Sequence, residues 1–355
     1  MKGIGLCFRS SLLGTIPLYH RRNGLSTLFL IFSKKVFALT GERNYATIEE
    51  ETQAEGYGVK ERDRLALQNA GRWKTLAWET LLFLALALIG QTAAGIVQGI
   101  ALTVYRIAGC DARPALIPIA LYATLPTTIG VLLFCRFVRG LDPGRIVGPR
   151  RRAWEYAVSA PLGTGLLAGA VGICTAAGAL RLTAAETFPV GVWLVYLGGF
   201  LLQGAGEEIL CRGYFQSVLL RSQKPWVAVA VNSAGFALLH LPNAGVTPLG
   251  ICNTFLFGVL ASLITLRSGD LWGACAVHSF WNFAQGNLFG VPVSGISGGP
   301  SPIVAVPDPG ATLWNGGGYG LEGGLAVTLC LTVGIAALCL LPRRNRLFRS
   351  ETGEM

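Results

Sequence analysis

The chain has 355 residues, of which 52% are hydrophobic and 14% charged, and its mean hydropathy is +0.52. A soluble domain carries about 25% charged residues, so composition excludes an ordinary soluble enzyme and calls for an all-α, polytopic membrane protein. The net charge of +10 would mark a nucleic-acid binder in a soluble chain. Here the basic residues fall between apolar runs, so they report topology, and no nucleic-acid partner is expected.

Residues 1–75 are polar and irregular, and an N-terminal extension without a fold of its own is expected there. Lys2, Arg9, Arg21, Arg22, Lys34 and Lys35 all precede the first acid, Glu42. Such an acid-free start resembles an organellar transit peptide. An over-extended start or a basic cytoplasmic tail has the same composition. The first case implies an organellar membrane, the second a bacterial plasma membrane.

Eight apolar segments follow, near 78–102, 115–137, 155–180, 189–220, 226–242, 248–266, 271–289 and 322–341. A helix needs about 20 residues to cross the hydrocarbon core. The expected organisation is therefore an eight-span domain over 76–345 with a cytoplasmic tail at 346–355. The fourth segment has 32 residues, or ~48 Å of helix, and must tilt or project into water. The nine cysteines form no C-x-x-C pair, sit mostly inside these segments and read as small buried apolar residues.

The loops predict orientation. Arg136, Arg139, Arg145, Arg150, Arg151 and Arg152 lie between segments two and three, Arg221 and Lys224 after segment four, and Arg343, Arg344, Arg346 and Arg349 after segment eight. The intervening loops are poorer in Arg and Lys. The positive-inside rule then places both termini in the cytoplasm. The stretch 290–321 is rich in Gly, Pro and Ser and is expected to be a flexible outer linker.

Charged groups inside spans are expensive and functional by default. Glu207, Glu208 and Arg212 interrupt the fourth segment; His240 ends the fifth; His278 and Asn282 lie in the seventh. Glu208 and Arg212 are four residues apart and share a helix face, so they can pair. Glu207 is about 100° around the same helix and faces elsewhere. Phe236 with His240, and His278 with Asn282, also share faces. At 1.5 Å per residue, Glu207 and His240 lie ~21–23 Å from the cytoplasmic side and His278 ~17 Å, which permits one shared cavity.

A carboxylate can take a proton from water that an imidazole holds, while a second imidazole and a carboxamide donate to an oxyanion. That set suffices for peptide hydrolysis. Glu207, His240 and His278 could instead hold zinc or another divalent metal, although no H-E-x-x-H is present. A proton relay in a transporter, or a non-catalytic scaffold or immunity protein, would use the same residue types differently. Inverted repeats would favour the transporter, and none is visible.

The three motifs Glu207-Glu208-x-x-x-Arg212, Phe236-x-x-x-His240 and His278-x-x-x-Asn282, in that order, resemble those of the CAAX-protease and bacteriocin-processing family of intramembrane endopeptidases, which includes the type II CAAX prenyl endopeptidases. The resemblance covers roughly residues 190–290. It implies an eight-helix bundle whose cavity opens to the cytoplasmic side. It also implies that Glu207 and His240 activate water, that His278 and Asn282 form the oxyanion site, and that Glu208, Arg212 and Phe236 support them. The implied substrates are membrane proteins, peptides or lipidated proteins, prenylated ones included, met within the lipid bilayer.

Overall fold

The computed structural model describes residues 61–148 and 154–340. Residues 1–60 and the expected tail at 346–355 lie outside the described residues. The remainder of the expected N-terminal extension does not stay irregular: residues 61–75 are already helical, within α1 (Glu61–Ile107).

After α1 come a single 3₁₀ turn, Arg113–Ala115, and then α2 (Leu116–Tyr122), α3 (Leu125–Phe137) and the short α4 (Pro143–Val147). They are followed by α5 (Trp154–Ala176), strand β1 (Leu180–Ala184) and α6 (Val190–Glu208). The chain continues from α6 without a break through a π-helical stretch, Ile209–Gln216, into α7 (Ser217–Ser222). Then come α8 (Pro225–Leu238), α9 (Pro248–Ser268) and α10 (Trp272–Phe283), the last running into a second π-helical turn, Ala284–Leu288. Strand β2 (Ile303–Pro307), α11 (Thr312–Asn315) and α12 (Leu325–Leu340) complete the described chain.

Local chemistry fixes many of these boundaries. Asp142 caps α4 by accepting from Gly144 N, with Pro143 at the first helical position, where its missing N–H costs nothing. Thr247 caps α9 in the same way over 3.0 Å, again ahead of a proline, and Gly269 ends that helix in the left-handed region at φ 77°.

Among the described residues, four helical stretches are long and apolar enough to cross a membrane: Gly71–Ile107, Arg113–Phe137, Trp154–Ala176 and Pro248–Ser268. Pro225–Leu238 and Leu325–Leu340 are apolar but shorter. The described chain is thus a multi-pass helical membrane protein. The last helix begins at Leu325, so Glu322 belongs to the turn before it and not to the expected span.

Two expectations are corrected. The fold is not purely helical, because β1 and β2 pair antiparallel, from Leu180 opposite Pro307 to Ala184 opposite Ile303. Residues 177–180, read as the end of a span, turn out of α5, and Leu180–Ala184 form one strand of this ribbon. The stretch 290–321 is consequently no loose linker. Asn315 Nδ2 donates to the carbonyls of Ala179 and Asp308. Glu322 accepts from Ser294 N, Ser294 Oγ and Gln285 Nε2, which pins the start of the loop to its end.

Connections that alternate along the chain meet each other. Gln223 Nε2 donates to the Arg72 carbonyl at 2.9 Å, and Leu271 N to that of Val147 at 3.2 Å. On the alternate connections, β1 meets β2, and Gly295 lies so close to Ala244 that a Cβ would strike its carbonyl.

At the centre, α10 packs against α5, α6 and α9. Small residues permit the approach. A Cβ on Gly163 of α5 would strike the Val277 carbonyl, and one on Gly204 of α6 would lie 2.9 Å from Ser279 N. Such contacts are how helices associate in lipid, where burial of apolar surface supplies no drive. Phe83 of α1 stacks on Phe215 at 4.2 Å between centroids and closes the core on the other side.

Candidate active site

Glu207 and Glu208 end α6, and the helix widens into π geometry at the next residue. π-helical turns are rare and concentrate at functional sites. All eight residues from Ile209 to Gln216 are buried, and Ser217 Oγ donates to the Arg212 carbonyl five residues back at 3.1 Å. That hydroxyl serves a carbonyl which the wider turn would otherwise leave poorly satisfied.

Adjacent in sequence, the two glutamates occupy different environments. Glu208 is wholly buried, and the Glu207 side chain is 32% exposed. Glu208 Oε1 accepts from Arg212 Nη1 at 2.9 Å and from His278 Nδ1 at 2.8 Å. The guanidinium also donates through Nη2 to the Gly258 carbonyl at 2.9 Å and stands 4.7 Å above the Phe236 ring. The pair expected from the four-residue spacing is therefore formed. Phe236 supports it as an aromatic platform, a cation–π contact strengthened by burial.

Glu207 turns toward a cavity of about 360 Å³. Its Oε1 accepts from Gln203 Nε2, one helical turn earlier. Its Oε2 takes no hydrogen bond from any described residue and lies 3.8 Å from His278 Nε2. An ionised carboxylate bound to Arg212 accepts only, so Nδ1 of His278 must carry a proton and the ring is oriented with Nε2 toward Glu207. Rings of Phe236 and Phe257, with centroids 5.8 and 5.1 Å from that of His278, hold the imidazole edge-on.

His240 lines the same cavity, as do Gln203, His278, Asn282 and Glu322. Its position differs from expectation. Helix α8 ends at Leu238, so His240 sits in the turn beyond the helix, not within a span to residue 242. It still packs on Phe236, at 4.6 Å between centroids, because its Nδ1 donates to the Phe236 carbonyl at 2.9 Å. That bond commits Nδ1 and leaves Nε2 with its lone pair.

Asn282 is one turn beyond His278 on α10, and its Nδ2 donates to Gln203 Oε1 at 3.1 Å. All four residues expected to be catalytic thus line one cavity, with Glu208 and Arg212 behind its wall. Gln203 and Glu322 escaped the sequence. Gln203 had one available signal, its spacing of four residues before Glu207. Glu322 had none beyond being an acid beside an apolar run.

The residues do not fit a metal centre. Among the described residues no three His, Cys, Asp or Glu side chains gather as a ligand set. The expected alternative set of Glu207, His240 and His278 is not assembled.

Residues 189–284 match the family model for the type II CAAX prenyl endopeptidase Rce1-like proteins. No curated protein and no solved structure matches the chain.

Proposed function

Starting from residues 189–284 as an Rce1-like type II CAAX prenyl endopeptidase domain, we propose that the protein is an intramembrane endopeptidase in which Glu207 activates water. One observation carries this assignment: Glu207, its side chain 32% exposed and one carboxylate oxygen without a hydrogen-bond partner among the described residues, lines a cavity that His240, His278 and Asn282 also line. The proposed arrangement has eight spans and cytoplasmic termini. It rests on the basic loops and on the contacts between alternate connections.

In the proposed reaction, water is held between the Glu207 carboxylate and His240 Nε2. Glu207 takes its proton as the oxygen attacks the scissile carbonyl, and the carbonyl π electrons move to oxygen. His278 Nε2–H, once that nitrogen is protonated, and an Asn282 N–H donate to this oxyanion. Preorganised donors in a water-poor cavity are worth far more than in water. Collapse of the intermediate breaks the C–N bond, and the proton held on Glu207 passes to the leaving amine. Glu208 keeps His278 oriented and, with Arg212, forms a locally neutral unit.

The substrate class is a peptide segment of a membrane-associated protein, prenylated or not. The test is cleavage of a quenched peptide bearing a lipidated C-terminal segment by detergent-purified protein. Turnover by the wild type and its loss in Glu207→Gln is the expected result; equal turnover in both overturns the mechanism.

A further inference from the structure

The carboxylate and carboxamide of the proposed site are connected through a residue to which no role has yet been given. Gln203 lies on α6, one turn before Glu207, and faces Asn282 across the α6–α10 contact. Gly204, its neighbour, lets the two backbones approach so closely that a Cβ would lie 2.9 Å from Ser279 N. Through that contact Gln203 Nε2 donates to Glu207 Oε1, while Gln203 Oε1 accepts from Asn282 Nδ2 at 3.1 Å.

The direction of this chain is set at one end. An ionised carboxylate only accepts, so the Gln203 NH₂ group must face Glu207 and its oxygen must face Asn282. Asn282, which could otherwise be turned either way, must then offer its NH₂ group to Gln203. A carboxamide NH₂ has two hydrogens. One is used here, and the other is uncommitted among the described residues.

From this geometry we infer that Gln203 is a positioning residue for the proposed hydrolysis, fixing which oxygen of Glu207 serves as base and which end of Asn282 meets the substrate. This inference rests on the endopeptidase reading above. It adds a link between the base and the oxyanion donor: ionisation of Glu207 orients Asn282 through the Gln203 amide. Leucine at 203 has similar size and neither polar group. Glutamate at 203 keeps the shape, but can donate to Glu207 and accept from Asn282 only when protonated.

The test measures kcat, KM and the pH profile of peptide cleavage for the wild type, Gln203→Leu and Gln203→Glu, with thermal unfolding of each. Displacement of reacting groups in Gln203→Leu should lower its kcat roughly 10²-fold with KM little changed. Gln203→Glu is expected to shift the optimum to lower pH, where the introduced carboxyl is protonated. A folded Gln203→Leu with the wild-type kcat overturns the assignment. Should that variant not fold, an unmoved optimum in Gln203→Glu overturns it. Absence of cleavage by the wild type overturns the endopeptidase reading and this one with it.

Discussion

His278 donates its Nδ1 proton to Glu208 over 2.8 Å, so a fully buried carboxylate, not the cavity, determines how this imidazole is presented. Glu208 also holds Arg212, and removing one partner of a buried ion pair leaves the other uncompensated. Glu208→Gln and Arg212→Ala are therefore expected to lose about 3–5 kcal/mol of stability as well as activity. Thermal unfolding in detergent and protein yield are the measurements; wild-type stability in both variants would contradict the role assigned to the pair.

Glu207 differs in kind, being half-buried and making a single hydrogen bond to Gln203. Glu207→Gln should leave the unfolding temperature unchanged and reduce turnover about 10²–10⁴-fold. His240→Ala should follow the same pattern. A variant that loses stability in proportion to activity would argue for a structural glutamate.

Asn282 contributes a donor, not a base. Asn282→Ala should lower kcat about 10²–10³-fold. The readout is the ratio of kcat loss to KM change across a peptide series. A pure KM effect would make Asn282 a binding residue only.

Packing yields a prediction with an internal control. A side chain at Gly204 meets the Ser279 backbone, whereas one at Gly165 meets nothing within 4 Å. Gly204→Val should cost about 1–3 kcal/mol through overpacking and disturb the site, and Gly165→Val should do neither. Thermal unfolding and turnover of the two variants side by side decide the point.

Topology is open to labelling. With Cys7 and the cysteines exposed among the described residues, Cys110, Cys252 and Cys339, replaced by serine, Lys224→Cys and Ser297→Cys should react with an impermeant thiol reagent from opposite faces of a sealed membrane. Labelling from the same face would contradict eight crossings.

What could be read from sequence follows from helical geometry. Spacing of four residues placed Glu208 beside Arg212 and His278 one turn before Asn282, because consecutive turns of a helix stack side chains on one face. Four cases lay beyond that rule. Gln203 is uncharged, so a lone amide in an apolar run carries no cost large enough to mark it. Leu180–Ala184 begins on the last residue of the apolar run of α5, and only its partner Ile303–Pro307, some 120 residues on, makes it a strand. His240 lies past its helix, whose end no residue at 239–241 announces. Glu322 stands at the edge of an apolar segment, and its tie to Ser294 depends on how the loop closes.

The π-helical stretch at Ile209–Gln216 has a mechanical consequence. It acts as a one-residue phase shift between two lengths of α-helix. Upstream, Gln203, Glu207 and Glu208 are in phase with Asn282 and His278; toward the far end of the stretch, Tyr214 reaches Glu79 at 2.9 Å and Gln216 reaches the Ser262 carbonyl at 3.4 Å. No single α-helix would satisfy both sets, since removing one residue rotates everything beyond it by about 100°. In this segment residue number matters as much as residue type: a conservative substitution can be absorbed, but a single deletion would turn the catalytic end of the helix out of step with the end that anchors it.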